Sequence, residues 1–191
     1  MERDEVQEVQ DSGRQALLLS HCGLTTIKGR MAPADGRDKP GNLYELKSAT
    51  RRGVTTARDV GLHTIEGWRG KYWVIAIGRN LRLSGFRMDG LYIAHPGDLE
   101  PFFAKLEERL GADWDTCNAV LAAALAAGVS PDTVNDARRV CKRGITVNNP
   151  KIPLKLVEQN ATKLDHEYAS VARRQVRRFV RSRPLRVAKQ R

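Results

Sequence analysis

Asp35, Glu45 and Lys47 are the residues of this chain whose types and spacing suit phosphodiester chemistry. Asp35 stands in a stretch with two glycines and a proline nearby, Asp35-Gly-Arg-Asp-Lys-Pro-Gly, which predicts a loop. Leu43 to Ala49 then reads as a short strand. Residues two apart on a strand share a face, so Glu45 and Lys47 project together while Tyr44 and Leu46 point the other way. Two carboxylates supply the hard oxygen ligands that Mg²⁺ takes. A lysine beside them can hold or deprotonate water and offset charge that builds on phosphorus. Taken alone, the same residues also fit an exposed strand edge with a Glu and a Lys for solubility.

The surrounding elements must position these groups. At 191 residues the chain has room for one domain with an appendage. Tyr72 to Ile77 is a continuous apolar run, the pattern of a central strand buried on both faces. Leu24–Ile27, Leu81–Phe86 and Leu91–Ala94 read as further short strands. Residues 2–20 suggest a helix broken at Gly13, with 14–22 its better-formed part, and 60–70 suggest a turn or two of helix. Asp98 as N-cap and Gly111 as stop delimit another helix. Residues 112–144 read as a helical hairpin whose second helix opens at Ser130-Pro131 and ends at Gly144. Leu154–Val157 alternates like a strand, and Asp165–Arg183 reads as a helix closed by Pro184. The predicted fold class is α/β, a central mixed β-sheet flanked by helices.

Charge narrows the partners. The chain carries +11, with a pI near 10.0. Residues 166–191 hold nine basic groups against Glu167 alone, a net of +8, so the body carries +3. Such an excess points to a polyanion. Cys22, Cys117 and Cys141 are odd in number and show no metal-ligand spacing, which suits reduced thiols and a cytoplasmic protein. No apolar run reaches the length of a membrane span, and no secretory signal pattern is present.

Three motifs carry a family resemblance. Tyr44-Glu45-Leu46-Lys47-Ser48, with Asp35 and Asp38 upstream, resembles the metal-site strand of the PvuII-type type II restriction endonucleases, in the PD-(D/E)xK nuclease superfamily. Asn148-Asn149-Pro150-Lys151-Ile152-Pro153 matches a hexapeptide of that family, continued through Lys155, Val157, Thr162 and Lys163. Gln10-Asp11-Ser12-Gly13 and Gly23-Leu24-Thr25 resemble two further family segments. Trp73 and the Asp98-Leu99-Glu100 helix start also align. The resemblance spans about 8–110 and 145–165. It implies an endonuclease domain over 1–165 with an insertion at about 112–144, followed by a basic helix and tail at 166–191.

The resemblance further implies Mg²⁺-dependent cutting of double-stranded DNA at a palindromic site by a homodimer, each subunit cutting one strand, with blunt ends by analogy. A cognate DNA methyltransferase would be its system partner. Asp35, Glu45 and the backbone carbonyl of Leu46 would hold metal, and Lys47 would position or activate water. Asn149 would read adenine, because an amide pairs bidentately with N6 and N7. Thr55 would approach bases, Thr56 would lie near the metal site, and Asp11 would face the minor-groove side of the dimer cleft. Trp68 stands at a Tyr-like position near the active site.

Departures open alternatives. Ala57-Arg58-Asp59 replaces the family's run of three histidines. Arg58 either reads guanine through O6 and N7, contacts phosphate, or pairs with Asp59. Lys151 is either a phosphate contact or an exposed charge. The arginine-rich tail either grips phosphate or is a solvated face. The N-terminus is shorter than the family's, so the hairpin or tail would take over dimer contacts. A lapsed nuclease that only binds DNA is the alternative function.

Overall fold

The computed structural model describes residues 13–27, 29, 33–50, 53–81 and 85–185. Residues 13–22 form helix α1. There follow β1 (Thr25–Thr26), β2 (Gly36–Arg37), β3 (Leu43–Ala49), β4 (Val54–Thr55), α2 (Leu62–Arg69), β5 (Tyr72–Leu81) and β6 (Gly85–Ala94). A 3₁₀ turn (Pro96–Leu99), α3 (Glu100–Ala126), α4 (Pro131–Gly144), β7 (Lys151–Ile152), α5 (Leu154–Asn160), β8 (Thr162–Leu164) and α6 (Ala169–Ser182) complete the order. Asp11 and the residues beyond 185 lie outside the described residues.

Six strands form a mixed sheet in the order β1-β2-β3-β5-β6-β8, in which β3 and β5 run parallel and the other pairs antiparallel. β4 and β7 make a separate two-stranded ladder. Tyr72 to Ala76 of β5 is buried throughout, as its unbroken apolar run predicts. β5 and β6 form a long hairpin with a register shift at Ile77/Gly78. A Cβ at Gly78 would stand 2.0 Å from the Arg87 carbonyl oxygen, so this close approach of two backbones requires glycine.

Pleating sorts the side chains of the sheet. Tyr44, Leu46, Tyr72, Val74, Ala76, Leu91 and Ile93 join one buried cluster with Leu18 and Cys22 of α1 and Ala172, Val176 and Phe179 of α6. Helices α1 and α6 therefore cover this face. Glu45 and Lys47 alternate with Tyr44 and Leu46, and their register partners on β5 are Trp73 and Ile75. These side chains belong to the opposite face. Trp73 meets Trp68 of α2 edge-on, with ring centroids 5.3 Å apart, and donates its Nε1–H to the Trp68 carbonyl.

Helix α6 is secured at both ends. Arg173 donates to the Ser20 carbonyl at 2.7 Å near the end of α1, where helix carbonyls lack intrahelical partners. At the other end Arg183 makes a two-pronged bond to Asp98, both contacts 2.7 Å, and Tyr72 Oη donates to the Arg183 carbonyl at 2.8 Å. Leu185 N–H returns a bond to Tyr72 Oη.

The chain divides into two compact units: residues 1–56, 67–99 and 151–191, and residues 57–66 and 100–150. In the second, α3 and α4 form an antiparallel hairpin. Ser130 Oγ caps α4 by accepting from Thr133 N–H, with Pro131 at the first helical position. Gly128 makes the turn with φ +89. Cys117 and Cys141 are neighbours within this unit, and all three cysteines are free of disulfides. Val60 and Val147 exchange backbone bonds of 3.0 and 2.9 Å.

Several expectations are corrected. Gly111 does not stop a helix: α3 runs 27 residues through it, because interior glycine costs only about 1 kcal/mol and no left-handed turn forms there. Asp98 caps the 3₁₀ turn instead, accepting from His95 N–H at 2.9 Å. The strand expected at Leu154–Val157 is helix α5. Its alternation spans only four residues, and the following Glu158 and Gln159 extend a helix that starts after Pro153. β5 reaches Leu81 and β6 starts at Gly85, so Leu81–Phe86 is no strand of its own. The last helix begins at Ala169, because Asp165 Oδ1 accepts from Glu167 and Tyr168 N–H and forms a turn ahead of it.

Arg183→Ala would cut both prongs to the largely buried Asp98. We expect a loss of about 2 kcal/mol in urea unfolding, the range for hydrogen bonds to charged groups. Arg183→Lys should recover only part, since an ammonium lacks the planar fork.

Candidate active site

The β2–β3 ladder brings Asp35 and Glu45 together. Gly36 pairs with Tyr44 and Arg37 with Leu43, and the same register continued by one residue sets Asp35 across from Glu45. Asp35 N–H donates to the Tyr44 carbonyl at 3.0 Å. The Asp35 side chain then takes over from the backbone: its Oδ2 accepts from Leu46 N–H at 2.8 Å. The N–H and C=O of one strand residue point to the same edge, so the Leu46 carbonyl belongs to the edge that carries Asp35.

A second aspartate shapes the connection. Asp38 accepts from Asn42 N–H at 2.8 Å, Asn42 Nδ2 at 2.9 Å and Tyr44 Oη at 3.0 Å. Gly41 N–H closes back on the Asp38 carbonyl, with φ +97 at Gly41. Burial, with Asp38 beside it, pushes the Tyr44 phenol well above its usual range, so it stays a donor. The loop is thereby tied to β3 itself.

Two lysines hold Glu45. Lys47 Nζ lies 2.7 Å from Glu45 Oε1 and 4.0 Å from Asp35 Oδ2. Lys71 Nζ lies 3.0 Å from Glu45 Oε2. The two carboxyls titrate in opposite directions. For Glu45, burial alone would raise the pKa, but Lys47 and Lys71 outweigh it and hold the group below the ordinary value. For Asp35, burial and then the Glu45 charge push the pKa up, only partly countered by Lys47, Leu46 N–H and Lys71. The signs for stability follow. Glu45 contributes stability above its unfolded value, lost as pH falls through its lowered one. Asp35 works against the fold once pH exceeds its ordinary value, and protonation relieves this as pH falls.

Carboxylates with opposed protonation preferences beside an ammonium make this cluster the candidate site of the described residues. Residues 3–121 match the family described as Restriction endonuclease PvuII. That span covers more than half of the 191-residue chain and includes Asp35, Glu45 and Lys47. The chain belongs to the PvuII restriction endonuclease family. The mixed sheet flanked by helices agrees with that fold, and the family implies a nuclease that binds DNA.

The other residues singled out in the sequence fall elsewhere. Thr55 and Lys151 are register partners in the β4–β7 ladder, both exposed, whereas Thr56 is buried. Arg58 is exposed in the second compact unit. Asn149 is also in that unit, exposed and left-handed at φ +46, a conformation asparagine tolerates better than most residues. Asp11 lies outside the described residues. Trp68 is a buried core residue, 2 % exposed.

Lys71 was not legible. It precedes the apolar run of β5, and only the parallel pairing Tyr44↔Tyr72 carries its side chain to Glu45. In this nuclease family member Lys71 acts on Glu45 by charge. Lys71→Met should raise the Glu45 pKa and move the acid limb of the cleavage pH profile to higher pH, while Lys71→Arg keeps it. A limb that stays in place in Lys71→Met would show that this ion pair does not set the protonation of Glu45.

Proposed function

We propose that the protein is a type II restriction endonuclease, hydrolysing phosphodiester bonds of double-stranded DNA at a palindromic site with Mg²⁺. The observation that carries the reading is the convergence of Asp35, Glu45 and Lys47 on one strand edge, with Lys47 Nζ 2.7 Å from one carboxylate and 4.0 Å from the other. The donor set fits a hard divalent cation. It comprises two carboxylates, one of them made costly to ionise by burial and by the charge of the other, a cost that a cation relieves. Among the described residues no cluster of three or more His, Cys, Asp or Glu side chains surrounds the site. Mg²⁺ commonly takes one or two carboxylates and completes its shell with waters and substrate phosphate.

In this mechanism Asp35, Glu45 and the Leu46 carbonyl would hold the ion. Bound there, Mg²⁺ would supply Lewis-acid polarisation of the scissile phosphate. Lys47 orients the attacking water and offsets negative charge on the phosphoryl oxygens. Lys71 keeps Glu45 ionised. The hydrogen bond to Leu46 N–H fixes the Asp35 carboxylate, so that orientation is set before substrate arrives.

DNA contacts are assigned as follows. Thr55 and Lys151 share one ladder, suited to bases and phosphate respectively. Thr56 supports the metal site, Asn149 reads adenine and Arg58 contacts a base or a phosphate; Asp11, also assigned to DNA, lies outside the described residues. A homodimer, each subunit cutting one strand, matches a two-fold site. Blunt ends, a cognate methyltransferase and a cytoplasmic setting complete the reading. The endonuclease domain proposed over 1–165 has an insertion at about 112–144, and the basic extension proposed over 166–191 packs its helix α6 into the core of that domain. The alternative, a lapsed nuclease that only binds DNA, is disfavoured because paired carboxylates facing DNA weaken binding unless a cation neutralises them.

Incubation of the protein with a phage genome and Mg²⁺ is expected to give discrete fragments, and none with EDTA. Asp35→Asn keeps an acceptor for Leu46 N–H, and Lys47→Ala is a side-chain truncation. Both should fold, and each should lose at least about 10²-fold in rate, the scale of one general acid–base or electrostatic group. Intact DNA or a random smear from the wild type would overturn the proposal. Asn149→Ala should lose specific cleavage, and sequencing of the cut ends reports the site and end type together. Full-rate cutting at unchanged sites by that variant would remove Asn149 from base reading.

A further inference from the structure

Helix α6 carries Arg173, Arg174, Arg177, Arg178 and Arg181 and no acidic residue. Arg173 is engaged with Ser20, and Arg183, just past the helix, with Asp98. Arg174, Arg177, Arg178 and Arg181 are exposed, and make no ion pair or side-chain hydrogen bond among the described residues. With Ser182 they line an open concavity of about 510 Å³. At 3.6 residues per turn, these four fall on an arc centred opposite the buried stripe of Ala172, Val176 and Phe179. The arginines therefore point away from the sheet.

The side of the sheet decides what they can reach. Ala172, Val176 and Phe179 pack in the cluster of Tyr44 and Leu46, on the face opposite Glu45 and Lys47. A duplex on the carboxylate face is separated from the arginine stripe by the sheet and the full width of α6. That separation is at least about 15 Å, given a helix diameter of about 10 Å and the sheet beneath it. The Debye length at physiological salt is about 8 Å. The stripe is thus screened from DNA held at Asp35 and Glu45 of the same chain.

We propose that the outer face of α6 is a second, sequence-independent binding surface for the phosphate backbone of a separate segment of duplex DNA. The stripe runs about 10 Å along the helix axis, over which a duplex presents about six phosphate charges. Guanidinium groups suit phosphate oxygens through paired N–H donors. The choice of DNA as the polyanion rests on the nuclease reading; the location of the surface does not. A chain with both faces occupied holds two DNA segments at once.

The test uses the full-length protein with Arg174, Arg177, Arg178 and Arg181 all changed to Gln, which preserves helix propensity. Circular dichroism and thermal melting check the fold. Two unrelated duplexes of about 30 base pairs that carry no cleavage site, one with a donor and one with an acceptor dye, report bridging by energy transfer in Mg²⁺, so that the carboxylate face is neutralised and neither duplex is cut. The wild type is expected to bridge them and the variant to lose the signal. The slope of log K against log salt should fall by about 3 to 4 on loss of four phosphate contacts. Cleavage of a short cognate duplex should stay within about twofold. Absent bridging by the wild type, or equal bridging by the variant, overturns the proposal. So does loss of short-duplex cleavage alongside binding, which would place the stripe on the cleaved duplex. Retention on anionic phosphatidylserine vesicles without DNA bridging would assign the face to a membrane surface. Bridging by a protein that cuts no DNA would reject the nuclease reading and leave this surface standing.

Discussion

The hydrogen bond from Leu46 N–H to the Asp35 carboxylate is the contact on which the site depends. Asp35 comes from a loop and Glu45 from a strand, and two such elements do not hold carboxylates in register unaided. Here the side chain of Asp35 continues the β2–β3 ladder where backbone bonding ends at its own N–H. One carboxylate oxygen is therefore spent on structure, and the strand edge sets the direction of the rest of the group. Asp38 supports the same arrangement from the far side of β2, through Asn42 and Tyr44. Aspartates therefore fix the chain on both sides of β2.

Electrostatics then makes the site conditional. Two carboxylates in a partly dry pocket repel, and two lysines offset only part of that cost. Glu45 takes both ammonium groups and is kept ionised, while Asp35 bears the remaining burden and prefers its proton. Such stored unfavourable charge is a common condition of binding sites, where local stability is given up for function. The fold tolerates it because the opposite face of the same strand buries Tyr44 and Leu46 in the main core. β3 thus anchors through one face and presents its charged side chains on the other.

The same division of faces governs α6. Its apolar stripe completes the core beneath β3, and the Arg173–Ser20 and Tyr72–Arg183–Asp98 contacts tie down its two ends. Two arginines that a charge count treats as available for polyanions are consumed in this way. Four others stand on the far side of the sheet from the carboxylates. Net charge alone describes none of this, because it sums over groups that are spent, screened or aimed elsewhere.

Alternation along β3, the apolar run of β5 and the Ser130-Pro131 start of α4 were legible because each is a local signal: side-chain period, burial on two faces, a cap with proline behind it. The grouping of Glu45 with Lys47 followed from strand geometry alone. Local signals misled where they were short or cheap to override. Gly111 costs a helix little, and four alternating residues at Leu154 do not outweigh the helix formers that follow. The tertiary structure decided the rest. Asp35 meets Glu45 only through β2–β3 register, Lys71 only through the parallel pairing of β3 with β5, and the outward direction of Arg174 to Arg181 only through which sheet face α6 covers. Those are relations between elements distant in the chain, and their physical cause is packing, which no spacing in the sequence expresses.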